Sequence, residues 1–376
     1  MGPGEGNTPP PEPAPRVTIA HDNLWWYGGA ERIAATIARA LPEAPFWAVL
    51  GRRDVAERMG VADRVHFLLR ERRAVLSNYR RMAPLYPALI RARPLPEADL
   101  LLTSSFAFAH HFRTNNAAPQ LCYCYSPLRF AWSMTADYEV ELGVAARLAG
   151  IAAAGFRSVD RRAAKRVTRY IAESNFVAGQ IKEFYGRDAD VIYPPVDCER
   201  FVPAPDPEIG DYFLFCGRLV EAYKRPSLVV EAFRELPGER LVIAGDGPAR
   251  AELERIAPAN VEFRGRLGDD ELIPLMQRCK ASIFPSRDDF GLIPVEVAAC
   301  GRPTLAYAAG GALETVAEGL SGEFFPEQTV RAVIDAVRAF DPADYEGPTI
   351  RAHAERWSAP RFEEEIVAAV RETAAG

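Results

Sequence analysis

Lysine is almost absent from this chain of 376 residues: it stands only at 165, 182, 224 and 280, and arginine supplies the rest of the 45 basic residues. No stretch approaches the roughly 18–20 continuous apolar residues of a membrane-spanning helix, so any membrane contact would be peripheral. The six cysteines, at 122, 124, 198, 216, 279 and 300, are scattered, several inside apolar segments. A chain of this size needs no disulfide staples, and the pattern excludes a disulfide scaffold. Cys122-x-Cys124 is too tight for the usual zinc pair, and the adjacent His110 and His111 have no carboxylate set at ligand spacing. No metal site and no cofactor is expected. The fingerprint G-x-G-x-x-G is missing too: "GGAERI" (28–33) breaks it, and "GDGPAR" (245–250) lacks the third glycine. A nicotinamide dehydrogenase is disfavoured accordingly.

What is present suits a two-domain enzyme. With 48% hydrophobic and 26% charged residues, the chain is long enough for two separate cores. Its first 15 residues, "MGPGEGNTPPPEPAP", hold six prolines and no apolar run, and read as a disordered tail rather than a signal peptide. The expected compartment is cytoplasmic. Charge divides unevenly: residues 16–200 carry 26 Lys+Arg against 19 Asp+Glu, and residues 201–376 carry 19 against 30. Part of the basic excess sits in "LLRERRAVLSNYRRMAPLYPALIRAR" (68–93). That segment reads first as a solvated helical face with a loop, and second as a surface for anionic lipid or a diphosphate-bearing acceptor at the inner face of a membrane. No nucleic-acid partner is expected.

Short apolar runs alternate with helical patterns, which predicts an α/β fold with parallel sheets. "RVTIAHDN" (16–23), "ADLLLTSS" (98–105), "QLCYCYS" (120–126) and "RYIAESN" (169–175) are strands whose ends turn polar, and "GGAERIAATIARALPEA" (28–44) is a helix entered through Gly28 and Gly29. A proline-rich, acidic linker at 193–210 precedes a second series: "DYFLFCGRL" (211–219), "RLVIAGDGP" (240–248), "ANVEFRGRL" (259–267), "ASIFPS" (281–286) and "PTLAYAAGG" (303–311). The expected organisation is a tail (1–15), a Rossmann-like domain (16–200), a second Rossmann-like domain (201–355) and an amphipathic C-terminal helix (356–376) crossing back to the first. Ligands of such sheets sit at the carboxyl ends of the strands.

Polar signals gather at those ends in the second half. Arg218 follows Gly217 after a strand, and Lys224 comes six residues later. A glycine admits an anion to the backbone, and a guanidinium with an ammonium suits a diphosphate. In "RDDFGLIPVEVAAC" (287–300), the N–H groups of Gly291, Leu292 and Ile293 open a helix and form an anion site. Glu296, one turn in, would accept from a vicinal diol such as a ribose, and Asp288 from hydroxyls of a sugar beyond the phosphates. An N-capping acid and an exposed helical glutamate would explain each carboxylate alone, but not the Phe-Gly between them or the cations upstream.

These motifs, with "GGAERI", "YCYSPLRFAW" and "IAESNFVAGQIKEFYGRDADVIYPPVDCERF" upstream and "GGALETV" downstream, resemble the retaining family 4 glycosyltransferases of GT-B fold, and among them the mannosyltransferase branch that builds bacterial surface saccharides. The resemblance spans about residues 16–370. It implies an N-terminal acceptor domain and a C-terminal nucleotide-sugar domain facing each other across a cleft. It further implies that Arg218 and Lys224 bind the donor diphosphate, that Phe290, Gly291, Leu292 and Ile293 contact phosphate and sugar, that Glu296 holds the ribose, and that Gly28 and Gly29 line the cleft. Asp288 stands where the family usually has Glu, and Tyr125 where it usually has a histidine near the transferred sugar. Phe106 likewise replaces a polar residue or His, which leaves His21 as the better remaining candidate, ahead of His110 and His111. The implied chemistry is metal-independent hexosyl transfer, GDP-mannose being the favoured donor and the acceptor a saccharide, a lipid-linked saccharide or a small molecule. For the last, "NLWWYGG" (23–29) would supply aromatic faces. Two rivals stay open: a nucleotide-sugar epimerase, and a catalytically degenerate donor-binding partner of another transferase.

Overall fold

The computed structural model describes residues 14–69, 82, 85–129, 131–132, 146–206 and 208–376. Nearly all of the expected tail, and the Arg-rich stretch at 70–81 and 83–84, lie outside these.

Seven strands, β1 (Val17–Leu24), β2 (Phe46–Gly51), β3 (Val65–Phe67), β4 (Leu100–Ser105), β5 (Gln120–Cys124), β6 (Arg169–Ala172) and β7 (Asp190–Val191), form a sheet ordered β3-β2-β1-β4-β5-β6-β7. Six more, β8 (Tyr212–Cys216), β9 (Arg240–Ala244), β10 (Val261–Gly265), β11 (Ser282–Phe284), β12 (Thr304–Tyr307) and β13 (Gly322–Phe325), form a second, ordered β10-β9-β8-β11-β12-β13. Every pairing is parallel. β4 and β8 are buried at each position, because helices cover both faces of a parallel sheet. β2, β3, β7 and β13 were not singled out by the apolar pattern.

Both sheets run 3-2-1-4-5-6 from their own first strand, the doubly wound order. Strand order reverses between β1 and β4 and between β8 and β11, and each reversal opens a crevice at the carboxyl ends. The last helix, Ala359–Ala375, sends Phe362, Ile366, Ala369 and Val370 into the core of the first sheet, beside Ile33 and Ile37 of the helix Gly29–Ala40. That spacing is one helical face, and the Phe362 ring meets Tyr123 edge-on at 5.5 Å. Burying Phe362 and Ile366 contributes about 1.5–3 kcal/mol each. The chain thus closes back on its first half.

Candidate active site

In the second half, the loop after β8 carries Gly217 at φ +140°, a conformation that favours glycine. Arg218 beside it is exposed; its carbonyl accepts from the Val220 N–H at 2.9 Å, while its guanidinium has no hydrogen bond or ion pair among the described residues. Lys224 ends the short helix Glu221–Lys224 and is ion-paired with Asp288. The expected phosphate cation and the expected sugar carboxylate therefore meet, both largely shielded from solvent. Gly291, at φ +92°, caps the helix Leu292–Ala299, whose first N–H groups have no intrahelical acceptor. Phe290 is buried against Tyr193 and Trp357, with ring centroids 5.9 and 6.4 Å apart, so it anchors the turn. A Cβ on Gly311 would overlap the Phe290 backbone, and the Gly311 N–H donates to the Asp288 carbonyl at 2.9 Å. The "AAGG" loop thereby fixes the carboxylate turn from beneath.

The two halves meet along these edges. Glu296 is buried and ion-paired with Arg32 of the helix Gly29–Ala40, while burial pushes its carboxyl upward. A Cβ on Gly29 would lie 2.9 Å from the Leu292 side chain, so the glycine loop permits the close approach. Arg129 pairs with the buried Asp289, and Ser174 Oγ donates to the Asp289 carbonyl at 2.6 Å. Glu314 accepts from the N–H groups of Asn175 and Phe176 at 2.9 and 3.0 Å, and so caps a helix of the first half with a residue of the second. Trp26, half exposed, lies under the Arg266 guanidinium, 5.2 Å from the ring centroid.

In the first half the candidate side chains turn inward. His21 has no exposed surface; its Nδ1 lies 2.9 Å from Ser104 Oγ, and burial pushes the imidazole down to about 3. Tyr125 donates to the Ala30 carbonyl at 3.1 Å and sits 2.7 Å from Ser104 Oγ. The His21 ring also packs edge-on against Phe106, 5.6 Å away. These residues form a floor beneath the glycine loop rather than its wall. Asp22 is spent on structure, accepting from the N–H groups of four successive residues, Phe106 to Ala109. One sequence expectation is corrected here: His110 and His111 do have a carboxylate, Asp160, at 2.9 and 3.2 Å. It lies about fifty residues further on, a distance that ligand spacing does not reach.

Four groups were not foreseen. Arg32 and Arg129 lie in quoted motifs, but only the fold shows that each reaches a carboxylate of the other half. Glu173 is buried, and burial first, then the charge of Asp289, raises its carboxyl well above the usual range. Glu31 accepts from the Gly28 N–H at 3.0 Å, and burial pushes it to about 7.

The comparisons with known proteins divide in the same way as the chain. Residues 27–200 match the family described as Glycosyltransferase Family 4, and residues 210–340 the family described as Glycosyl transferases group 1. The D-inositol 3-phosphate glycosyltransferases of Mycobacterium tuberculosis H37Rv and Mycobacterium bovis AF2122/97 are 30% identical over 192 residues, covering 45% of this chain. The match spans 40% of the length of those relatives. Among solved structures, HepE of Anabaena in complex with UDP and glucose superposes with a TM-score of 0.71 at 17% identity, over 95% of this chain and 99% of that one. A sucrose-phosphate synthase from Thermosynechococcus elongatus gives 0.68 at 17%, over 96% and 100%. These structural likenesses show the fold.

Proposed function

The chain belongs to family 4 of the GT-B glycosyltransferases, and from that premise we propose that it moves a hexose, with retention of configuration and without a catalytic metal, from a nucleotide diphosphate sugar to an acceptor hydroxyl. The observation that supports this reading is position: Arg218 and Lys224 follow β8, and the helix Leu292–Ala299 follows β11, the two neighbouring strands between which the second sheet reverses its order. Two cations and a helix N-terminus at one sheet edge suit a diphosphate once it displaces Asp288 from Lys224.

In the proposed cycle the arriving diphosphate takes Lys224 from Asp288. That exchange frees a carboxylate for hydroxyls of the donor sugar, and Glu296 turns from Arg32 toward the ribose. Gly217, Gly291, Leu292, Ile293 and the backbone of Phe290 allow close approach to phosphate and sugar. The glycosidic bond to the diphosphate loosens through an oxocarbenium-like state, and the acceptor hydroxyl attacks from the leaving-group face, passing its proton to the departing diphosphate oxygen. Catalysis is then chiefly stabilisation of the charge that grows on the departing diphosphate. Gly28 and Gly29 border the cleft, while His21 and Tyr125, being buried, act by holding the floor under that loop.

The sequence resemblance favours GDP-mannose; the UDP bound by HepE makes a uridine donor the rival. A saccharide or lipid-linked acceptor follows from the same resemblance, and the name of the mycobacterial relatives adds a phosphorylated cyclitol. No helix among the described residues is long and apolar enough to cross a membrane, so an acceptor in a membrane would be reached from its surface. A second reading, a donor-binding partner without turnover, draws on the replacement of the usual histidine by Tyr125. The purified protein incubated with GDP-mannose and with UDP-glucose, alone and with candidate acceptors, decides between them. Transfer with the donor's anomeric configuration kept supports the proposal; donor isomerisation without an acceptor would indicate an epimerase.

A further inference from the structure

We propose that His110, His111 and Asp160 form a binding site for one divalent transition-metal ion, buried in the first half and separate from the cleft. Their ligand atoms all lie within 4.8 Å of one another, and the side chains are 4, 2 and 1% exposed. Asp160 Oδ1 faces two ring nitrogens at once. His111 Nε2 is hydrogen-bonded to it at 3.2 Å, whereas His110 Nε2, nearer at 2.9 Å, is misaligned and has no hydrogen-bond partner. Two imidazoles thus compete for one oxygen in a place closed to water, and a buried polar group without a partner is costly. A cation between the three atoms removes the conflict, because each becomes a ligand.

Two of the three candidate ligands, Asp160 and His110, carry outer hydrogen bonds; His111 Nδ1 is buried without one among the described residues. Asp160 Oδ2 accepts from Trp132 Nε1 at 2.8 Å and from the Tyr185 hydroxyl at 2.7 Å, and His110 Nδ1 lies 3.3 Å from Ser105 Oγ. Outer hydrogen bonds of this kind orient ligands and fix the tautomer. Two imidazoles and a carboxylate are a donor set for zinc, with bonds of about 2.0–2.2 Å. The existing N···O separations need only widen slightly. Such an ion would pin the helix Ala146–Ala164, which supplies Asp160, to the short turn Ala109–His111 after β4. It would brace the cleft floor and take no part in transfer.

The test uses the full chain purified without a metal-affinity step, stripped by chelator and titrated with Zn²⁺ and Co²⁺. One equivalent of zinc per chain, a raised melting temperature and tetrahedral cobalt absorption are expected. His110→Asn should lose the equivalent. Tyr185→Phe keeps all three ligands, so it should lower affinity about 10–100-fold without abolishing binding. Absence of a bound equivalent in the wild type overturns the proposal, and so does one that both variants retain with unchanged affinity.

Discussion

The two halves share a strand order and differ in what they place at its reversal. In the first half, His21, Ser104 and Tyr125 are buried and bonded to one another and to the Ala30 carbonyl. In the second, Arg218 is exposed and Lys224 reaches a carboxylate that borders the cleft. One topology therefore offers the same crevice twice, lined in the first half by buried hydrogen-bonded side chains and in the second by charged ones. Topology supplies the place; charge and exposure supply the use.

Substitutions on either side can break or sharpen that contrast. The largest effect is expected at Lys224. Lys224→Ala should lower turnover by a factor of hundreds, corresponding to roughly 2.7–4 kcal/mol of transition-state stabilisation, in a protein that melts normally; near-normal kcat in the purified variant refutes the assignment. Next comes Glu31, in the first turn of the helix Gly29–Ala40. Its carboxyl lies at about 7 when folded against an ordinary 4.5, so the native chain holds a proton there that the unfolded chain has lost. The stability it contributes is complete below pH 4.5 and is lost as pH rises toward 7. Unfolding of wild type and Glu31→Gln across that range should diverge by roughly 3 kcal/mol, the variant being the flatter.

A smaller effect is expected under the carboxylate turn. Gly311→Ala should destabilise by about 2 kcal/mol, since a new Cβ meets backbone that cannot move aside cheaply, and should weaken donor binding as the turn shifts. Tyr125→Phe should do least. Loss of its hydroxyl is expected to cost about 1 kcal/mol of stability and to change turnover only a few-fold. A loss there as large as at Lys224 would erase the distinction between the halves and give Tyr125 a direct part in transfer.

Much of this was legible beforehand. Apolar runs bounded by polar ends gave the major strands, and the cations, the Phe-Gly turn and the two carboxylates marked the second crevice by local spacing alone. Contacts between elements far apart in sequence were not legible. Glu296 was expected to be free for a ribose, but Arg32 from the opposite half holds it. His110 and His111 were expected to lack a carboxylate, but Asp160 comes to them on a helix. His21 was expected near a strand end, where ligands gather, yet β1 runs on to Leu24 and is covered on both faces, which buries it. Spacing describes neighbours on one element; packing across the cleft requires the fold.

The central claim is that the second crevice holds a nucleotide diphosphate. Thermal unfolding of the purified protein with GDP, UDP, ADP, dTDP and GDP-mannose, beside Glu296→Ala, tests it most directly. Binding to the folded state alone adds about 2.7 kcal/mol of stability at a hundredfold excess over Kd. A rise selective for one base and lost in the variant is the predicted result; no rise with any of the five would contradict the account.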